Sequence, residues 1–160
     1  MKGLRPTLCL VVAVLILGLS ATESANAGKD HLGGAGAFAS RIVRLIGENR
    51  YAEAWTALHP LHQEAAPLDR YVQCENLTPI PGQVSSVRTL RTWDAPVRVA
   101  GIADPVRGTK VKLRIVIGNG PASARVVVVK TVGLVEIEQH WVWLLPAARY
   151  AAYLAGNCPQ

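Results

Sequence analysis

The hydrophobic period of this chain changes at Thr78-Pro79-Ile80-Pro81-Gly82, and that change restricts the fold class more than any other feature. Before it, apolar residues recur at helical spacing; after it they alternate or run together as strands do. A chain with helices before such a switch and strands after it folds as α+β. The expected architecture is three N-terminal helices packed on a curved antiparallel sheet.

On the helical side, Phe38, Ile42, Leu45 and Ile46 fall at i, i+4, i+7 and i+8 and form one apolar stripe, which Gly47 and Asn49 interrupt. Tyr51, Trp55 and Leu58 then repeat at i, i+4 and i+7, a short second helix with Asn49 as its cap. His59 precedes Pro60, and a residue before proline is driven out of the α region, so this helix is expected to end there. Pro67 suits the first turn of a third helix with Asp69 near its positive end. That helix would turn Leu68, Tyr71 and Val72 inward and carry Cys74 near its end.

On the strand side, residues 84–93 and 97–102 are two candidates divided by Asp94-Ala95-Pro96. Residues 110–117 alternate, with Val111, Leu113, Ile115 and Ile117 on one face and Lys110, Lys112 and Arg114 on the other. Asn119-Gly120 is a two-residue hairpin signal. A long valine-rich strand follows over 125–138, and Gln139-His140 turns it into a last strand, 141–145, stopped by Pro146. The tail through Tyr150 and Tyr153 to Cys158 reads as a short helix or turn. One conflict is built in: a tight turn at Asn119-Gly120 sets Arg114 opposite Arg125, and facing like charges destabilise. A bulge, a longer loop or exposure of both side chains would remove it.

Residues 1–27 have the three-part layout of a secretory signal: Lys2 and Arg5, an apolar run from Leu8 to Leu19, and Ala25-Asn26-Ala27 as the small-x-small site. The run is shorter than the ~20 residues of a spanning helix, so no stable membrane anchor is expected after cleavage. Cys9 lies too early in the run to carry a lipid. Cleavage after Ala27 removes Lys2, Arg5 and Glu23 and takes the formal net charge from +6 to +5. Residues 28–36, with Gly33, Gly34 and Gly36, read as a flexible segment; no strand precedes them, so they make no phosphate loop. Residues 37–160 are long enough for one domain with one core.

In an exported chain Cys74 and Cys158 read as one disulfide. It would close a loop worth ~4–5 kcal/mol and tie the C-terminus to the helical half. No soft ligand lies at metal spacing from either cysteine, and there is no C-x-x-C pair.

Two stretches resemble secreted bacterial members of the nuclear-transport-factor-2-like superfamily. They are Tyr51-Ala52-Glu53-Ala54-Trp55-Thr56-Ala57-Leu58-His59-Pro60 with Tyr71 and Cys74, and His140-Trp141-Val142-Trp143-Leu144-Leu145-Pro146 closing on Ala155-Gly156-Asn157-Cys158-Pro159. The resemblance implies the α+β cone and no particular activity, because that superfamily holds isomerases, dehydratases, transport adaptors and secreted modules alike. In the group's usual ending a Gly-containing turn precedes the tryptophan; here Gln139-His140 stands in its place.

The candidate chemistry is sparse. With Gln139-His140 as the turn, Glu138 would pair with Trp141 and Glu136 with Trp143, all on one sheet face. In a closed chamber a carboxylate among indoles is a candidate general base, with Tyr71 or His59 as polarising donor; facing water, the glutamates are merely solvated. Trp55 and Trp93, like Trp141 and Trp143, are candidates for a pocket wall or for core. His59 and His62, three apart with Glu64 nearby, make a weak zinc pattern; helix capping and carbonyl bonding are the commoner uses. No metal or other cofactor is expected. No serine, cysteine or zinc hydrolase signature occurs, and no sugar is expected on the sequon Asn76-Leu77-Thr78. The basic residues are scattered from Arg41 to Arg149, and Lys110, Lys112 and Arg114 come nearest to a patch, chiefly a solvated face that blocks edge pairing. The expectation is therefore a non-catalytic binding module of the cell envelope. Its expected partners are a second copy through the sheet face, an envelope protein or an anionic polymer, and not nucleic acid. The alternatives are a small isomerase or dehydratase and a binder of an apolar ligand in the cone.

Overall fold

The computed structural model describes residues 23–118, 121 and 124–160. The charged start and apolar run of the expected signal segment, and the Asn119-Gly120 pair, lie outside them. The order is α1 (Glu23–Gly47), α2 (Tyr51–Thr56), α3 (Pro60–Ala65), α4 (Leu68–Leu77), β1 (Val84–Val97), β2 (Val106–Ile117), β3 (Val126–Ile137), β4 (His140–Trp143) and α5 (Ala147–Leu154). The strands form one antiparallel sheet in the order β1-β2-β3-β4. The fold is α+β, as the change of period implies, with four helices before the sheet where three were expected.

The additional helix is α3. Pro60 does end the segment before it, but proline also suits the first position of a new helix, where its missing N–H costs nothing. His59 supplies the cap, its Nδ1 accepting from the Leu61 N–H at 3.2 Å. Asn49 does not cap α2. It closes α1 in the left-handed region (φ 59°), and its Oδ1 accepts from the Tyr51 hydroxyl at 2.7 Å. Leu68, expected inward, is 37% exposed, whereas Tyr71 and Cys74 on the same helix are buried.

The glycine-rich stretch 28–36 is part of α1 rather than an irregular segment. Its last glycine serves close packing: a Cβ at Gly36 would stand 3.1 Å from the Thr89 methyl. At the other end of α1 a Cβ at Gly47 would come within 2.4 Å of a Val84 methyl. Helix and β1 approach at both points only because no side chain intervenes. Ala35 and Ala39 then bury against Val87, Val111, Leu113, Ile115 and Leu134, the core beneath α1.

β1 runs unbroken through Asp94-Ala95-Pro96 to Val97, with Pro96 opposite Arg107. A proline is tolerated there because β1 is an edge strand, and a missing N–H on the outer side breaks no ladder bond. In the β2–β3 ladder Ile117 pairs with Val126 and Arg114 with Val129. The connection is thus the longer loop, and Arg125 does not face Arg114. The last turn sits one residue earlier than expected, at Glu138-Gln139, both in the left-handed region (φ 49° and 66°) as a tight hairpin of the primed type requires.

Around α2–α5 a second core gathers Tyr51, Leu58, Tyr71, Cys74, Leu145 and Tyr153. Cys74 is bonded to Cys158 with Cα atoms 5.1 Å apart, across 84 residues of sequence, so the C-terminus is tied to α4 as expected. Among the described residues no helix is long and apolar enough to cross a membrane.

Candidate functional site

The shifted turn redistributes the acidic and aromatic group. Glu136 pairs with Trp141, Leu134 with Trp143, and Ile137 with His140; Glu138 lies in the turn and pairs with nothing in the ladder. Glu136, Trp141 and Trp143 share the inner sheet face, but both carboxylates are exposed. Trp141 is half-buried beside α1, 3.6 Å from where a Cβ on Gly34 would stand. Trp143 joins the layers: its indole N–H donates to the Ala54 carbonyl at 2.7 Å. Its backbone N–H and C=O bond to Ala57 O and His59 N, each at 3.0 Å.

The proposed donors lie elsewhere. Tyr71 is 1% exposed and packed between Trp143 and Tyr153. Burial first, and the nearby Glu75 carboxylate second, push its phenol far above the ordinary value. His59 caps α3, and burial holds its imidazole below the usual range. His62 is fully buried, its Nε2–H donating to Ala100 O at 3.0 Å while Nδ1 accepts from the Leu145 N–H at 2.9 Å. Both ring nitrogens are thereby used by backbone, which leaves none for a metal. Burial above all holds this imidazole below its usual range. Trp55 donates its indole N–H to Ala66 O at 2.7 Å and is part of the helical core. Trp93 faces the other side of the sheet altogether. The candidate acid, base and donors therefore do not converge on one reacting atom.

A buried polar cluster that motif reading missed lies beside the disulfide. Glu75 is 4% exposed, paired with the Arg149 guanidinium and accepting from the Tyr153 hydroxyl at 2.9 Å. It clamps α4 to α5. No motif marks it, because Glu75 and Arg149 are brought together only by the packing of two helices distant in sequence.

The outer sheet face collects charge instead. Lys110, Lys112 and Arg114 point there, as alternation implies. Facing them across the β1–β2 ladder are Trp93 opposite Lys110, Arg91 opposite Lys112 and Arg88 opposite Arg114. The Arg91 guanidinium lies over the Trp93 ring, 5.1 Å from its centroid. The acidic residues of the four strands, Asp94 and Glu136, are both on the inner face; Asp94 accepts there from the buried Thr109 hydroxyl at 3.0 Å. None of the five cations is ion-paired among the described residues. Beside Arg114 a shallow, open depression is lined by Ser85, Ser86, Val116, Arg125 and Val127. Sequence reading missed Arg88 and Arg91 for a definite reason. They are three apart, so strict alternation puts them on opposite faces; a bulge between Thr89 and Arg91 resets the phase and brings both outward.

The sequence matches no protein-family model, no curated protein and no solved structure.

Proposed function

We propose that this chain is an exported, non-catalytic interaction module of the cell envelope that works through the outer face of its sheet. The observation that carries this reading is the asymmetry of the sheet: α1 lies against its inner face, while the outer face is open and cationic over the β1–β2 strip. The isomerase or dehydratase reading and the apolar-ligand reading both need a chamber beneath α1. Ala35, Gly36 and Ala39 occupy that space. The leader layout of residues 1–27 and the Cys74–Cys158 bond favour export, since such bonds persist in oxidising compartments. Helices followed by an antiparallel sheet keep the nuclear-transport-factor-2-like resemblance as our fold-family proposal. A second copy, where one binds, is better placed at the β3 edge than on either face, because α1 covers one and cation would oppose cation on the other.

The test is to express the full chain in a bacterium with a secretory pathway, separate medium, envelope and cytoplasm, and sequence the N-terminus of the recovered protein. The expected result is a chain starting at Gly28, retained on isolated envelopes and released by salt. An uncleaved chain in the cytoplasm, or a secreted one with no affinity for envelopes, overturns the proposal.

A further inference from the structure

We infer that the strip formed by Arg88, Arg91, Lys110, Lys112 and Arg114 is a binding site for a linear phosphodiester polymer with a polyol backbone; this rests on the interaction-module reading above. The strip breaks a rule of sheet construction twice in succession. Arg88 is directly opposite Arg114 and Arg91 directly opposite Lys112, pairings that repel. A sheet that only needed solubility would intersperse acids among these cations, yet both strand carboxylates, Asp94 and Glu136, are turned to the inner face. Local conflicts of this kind collect where a surface serves a ligand rather than the fold, and an anion laid between the rows removes the repulsion.

The geometry selects the form of the anion. Lys110, Lys112 and Arg114 are alternate residues of β2, so their charges recur about every 7 Å along the strand, with the β1 guanidiniums about 5 Å to the side. That is a narrow double row fitted to an extended chain carrying one negative charge per short repeat. The guanidiniums of Arg88, Arg91 and Arg114 offer paired N–H donors to phosphate oxygens. A single-stranded nucleic acid has a similar charge spacing, but it also needs aromatic platforms for its bases. The aromatic ring on this strip, Trp93, is already covered by Arg91. A bilayer would engage a broad face, whereas past Thr131 and Val129 the strip gives way to the edge of β3. A polyol phosphate, which has charge and no bases, is the best match.

The test is fluorescence anisotropy of the purified protein with labelled poly(glycerol phosphate), at salt from 50 to 200 mM, beside oligo(dT) of equal charge number and phosphatidylglycerol–phosphatidylcholine vesicles. With three to five phosphates engaged, affinity for the polymer is expected to fall roughly 20- to 100-fold over that salt range. Lys112→Gln/Arg114→Gln is expected to weaken binding at least tenfold and to flatten the salt slope by about one unit per charge removed. Arg41→Gln/Arg44→Gln, which removes equal charge from the exposed side of α1, is expected to leave binding within twofold. Equal losses in the two variants, or equal or tighter binding to oligo(dT) or to vesicles, would overturn the assignment. So would failure to bind the polymer at 50 mM salt by a protein whose circular dichroism shows it folded. Retention on envelopes with no affinity for the polymer would sink this inference alone, whereas no retention but tight polymer binding would sink the envelope reading alone.

Discussion

The end of the molecule around α4, α5 and the disulfide and the end formed by the β1–β2–β3 strip solve opposite problems. At the first, polar groups are buried and, apart from the Arg149 Nε, matched: Glu75 with Arg149 and Tyr153, His62 with two backbone groups, the C-terminus bonded through Cys158. At the second, like charges face one another without acidic partners, and Val126, Val127 and Val129 stand 48–59% exposed on a strand whose residues 126–133 pair only with β2 among the described residues. The first end spends its chemistry on a unique structure. The second leaves its chemistry available, at some cost in stability, and that contrast is what motivates the proposed binding surface.

The comparison can be broken most forcefully at the closed end. Cys74→Ser is expected to lower stability by ~4 kcal/mol, because the reduced unfolded chain regains the entropy of a loop 84 residues long. Guanidinium unfolding of the variant against the parent checks it; a loss under ~1 kcal/mol on the same scale would mean packing alone holds the C-terminus. Glu75→Gln keeps an acceptor for Tyr153 but strands the Arg149 cation. Since Arg149 is one-third exposed, the expected loss is at the lower end for a broken buried pair, about 2–3 kcal/mol.

The pH dependence comes next in size. In the fold, burial holds His62 below its ordinary value of 6.5. As pH falls through 6.5 the unfolded chain takes up the proton first, so the contribution is intact above that value and is lost on acidification below it. The urea midpoint should therefore fall between pH 7.5 and pH 5, and His62→Gln should remove most of that slope. His59 is depressed in the same sense and supplies the remainder.

At the open end the effects on stability are small and the consequences lie elsewhere. Lys130 interrupts the valines of an exposed edge, so Lys130→Val is expected to change monomer stability by less than ~0.5 kcal/mol while promoting association on sedimentation. Arg114→Thr should raise stability by a few tenths of a kcal/mol, because it relieves the repulsion from Arg88. A destabilised Arg114→Thr would show that the guanidinium has a structural partner and would remove the central contrast.

Much of the architecture was legible from local pattern. The stripe from Phe38 to Ile46 lies in α1, the alternation of 110–117 in β2, and Cys74 meets Cys158 as an oxidising compartment predicts. The errors share a cause, which is that one residue type serves two ends. Pro60 ends one segment and begins another; Gly36 reads as slack in a helix that uses it for close contact with Thr89; Pro96 reads as a break but sits on an edge where its missing donor is harmless. In each case the deciding fact is what stands on the other side of the residue.

By itself the sequence determined the fold class, the change of period and the orientation of Lys110, Lys112 and Arg114, because each follows from spacing along the chain, and the disulfide, because Cys74 and Cys158 are an isolated pair behind a signal-like leader. Only the tertiary structure decided that α1 lies over the inner face, that Glu138 leaves the ladder, and that Arg88 and Arg91 join the cationic row. Those depend on register, and register is set by a bulge at Leu90 and a turn at Glu138-Gln139. A shift of one residue there moves every side chain beyond it to the opposite face, so the cationic double row is a property of pairing and not of composition.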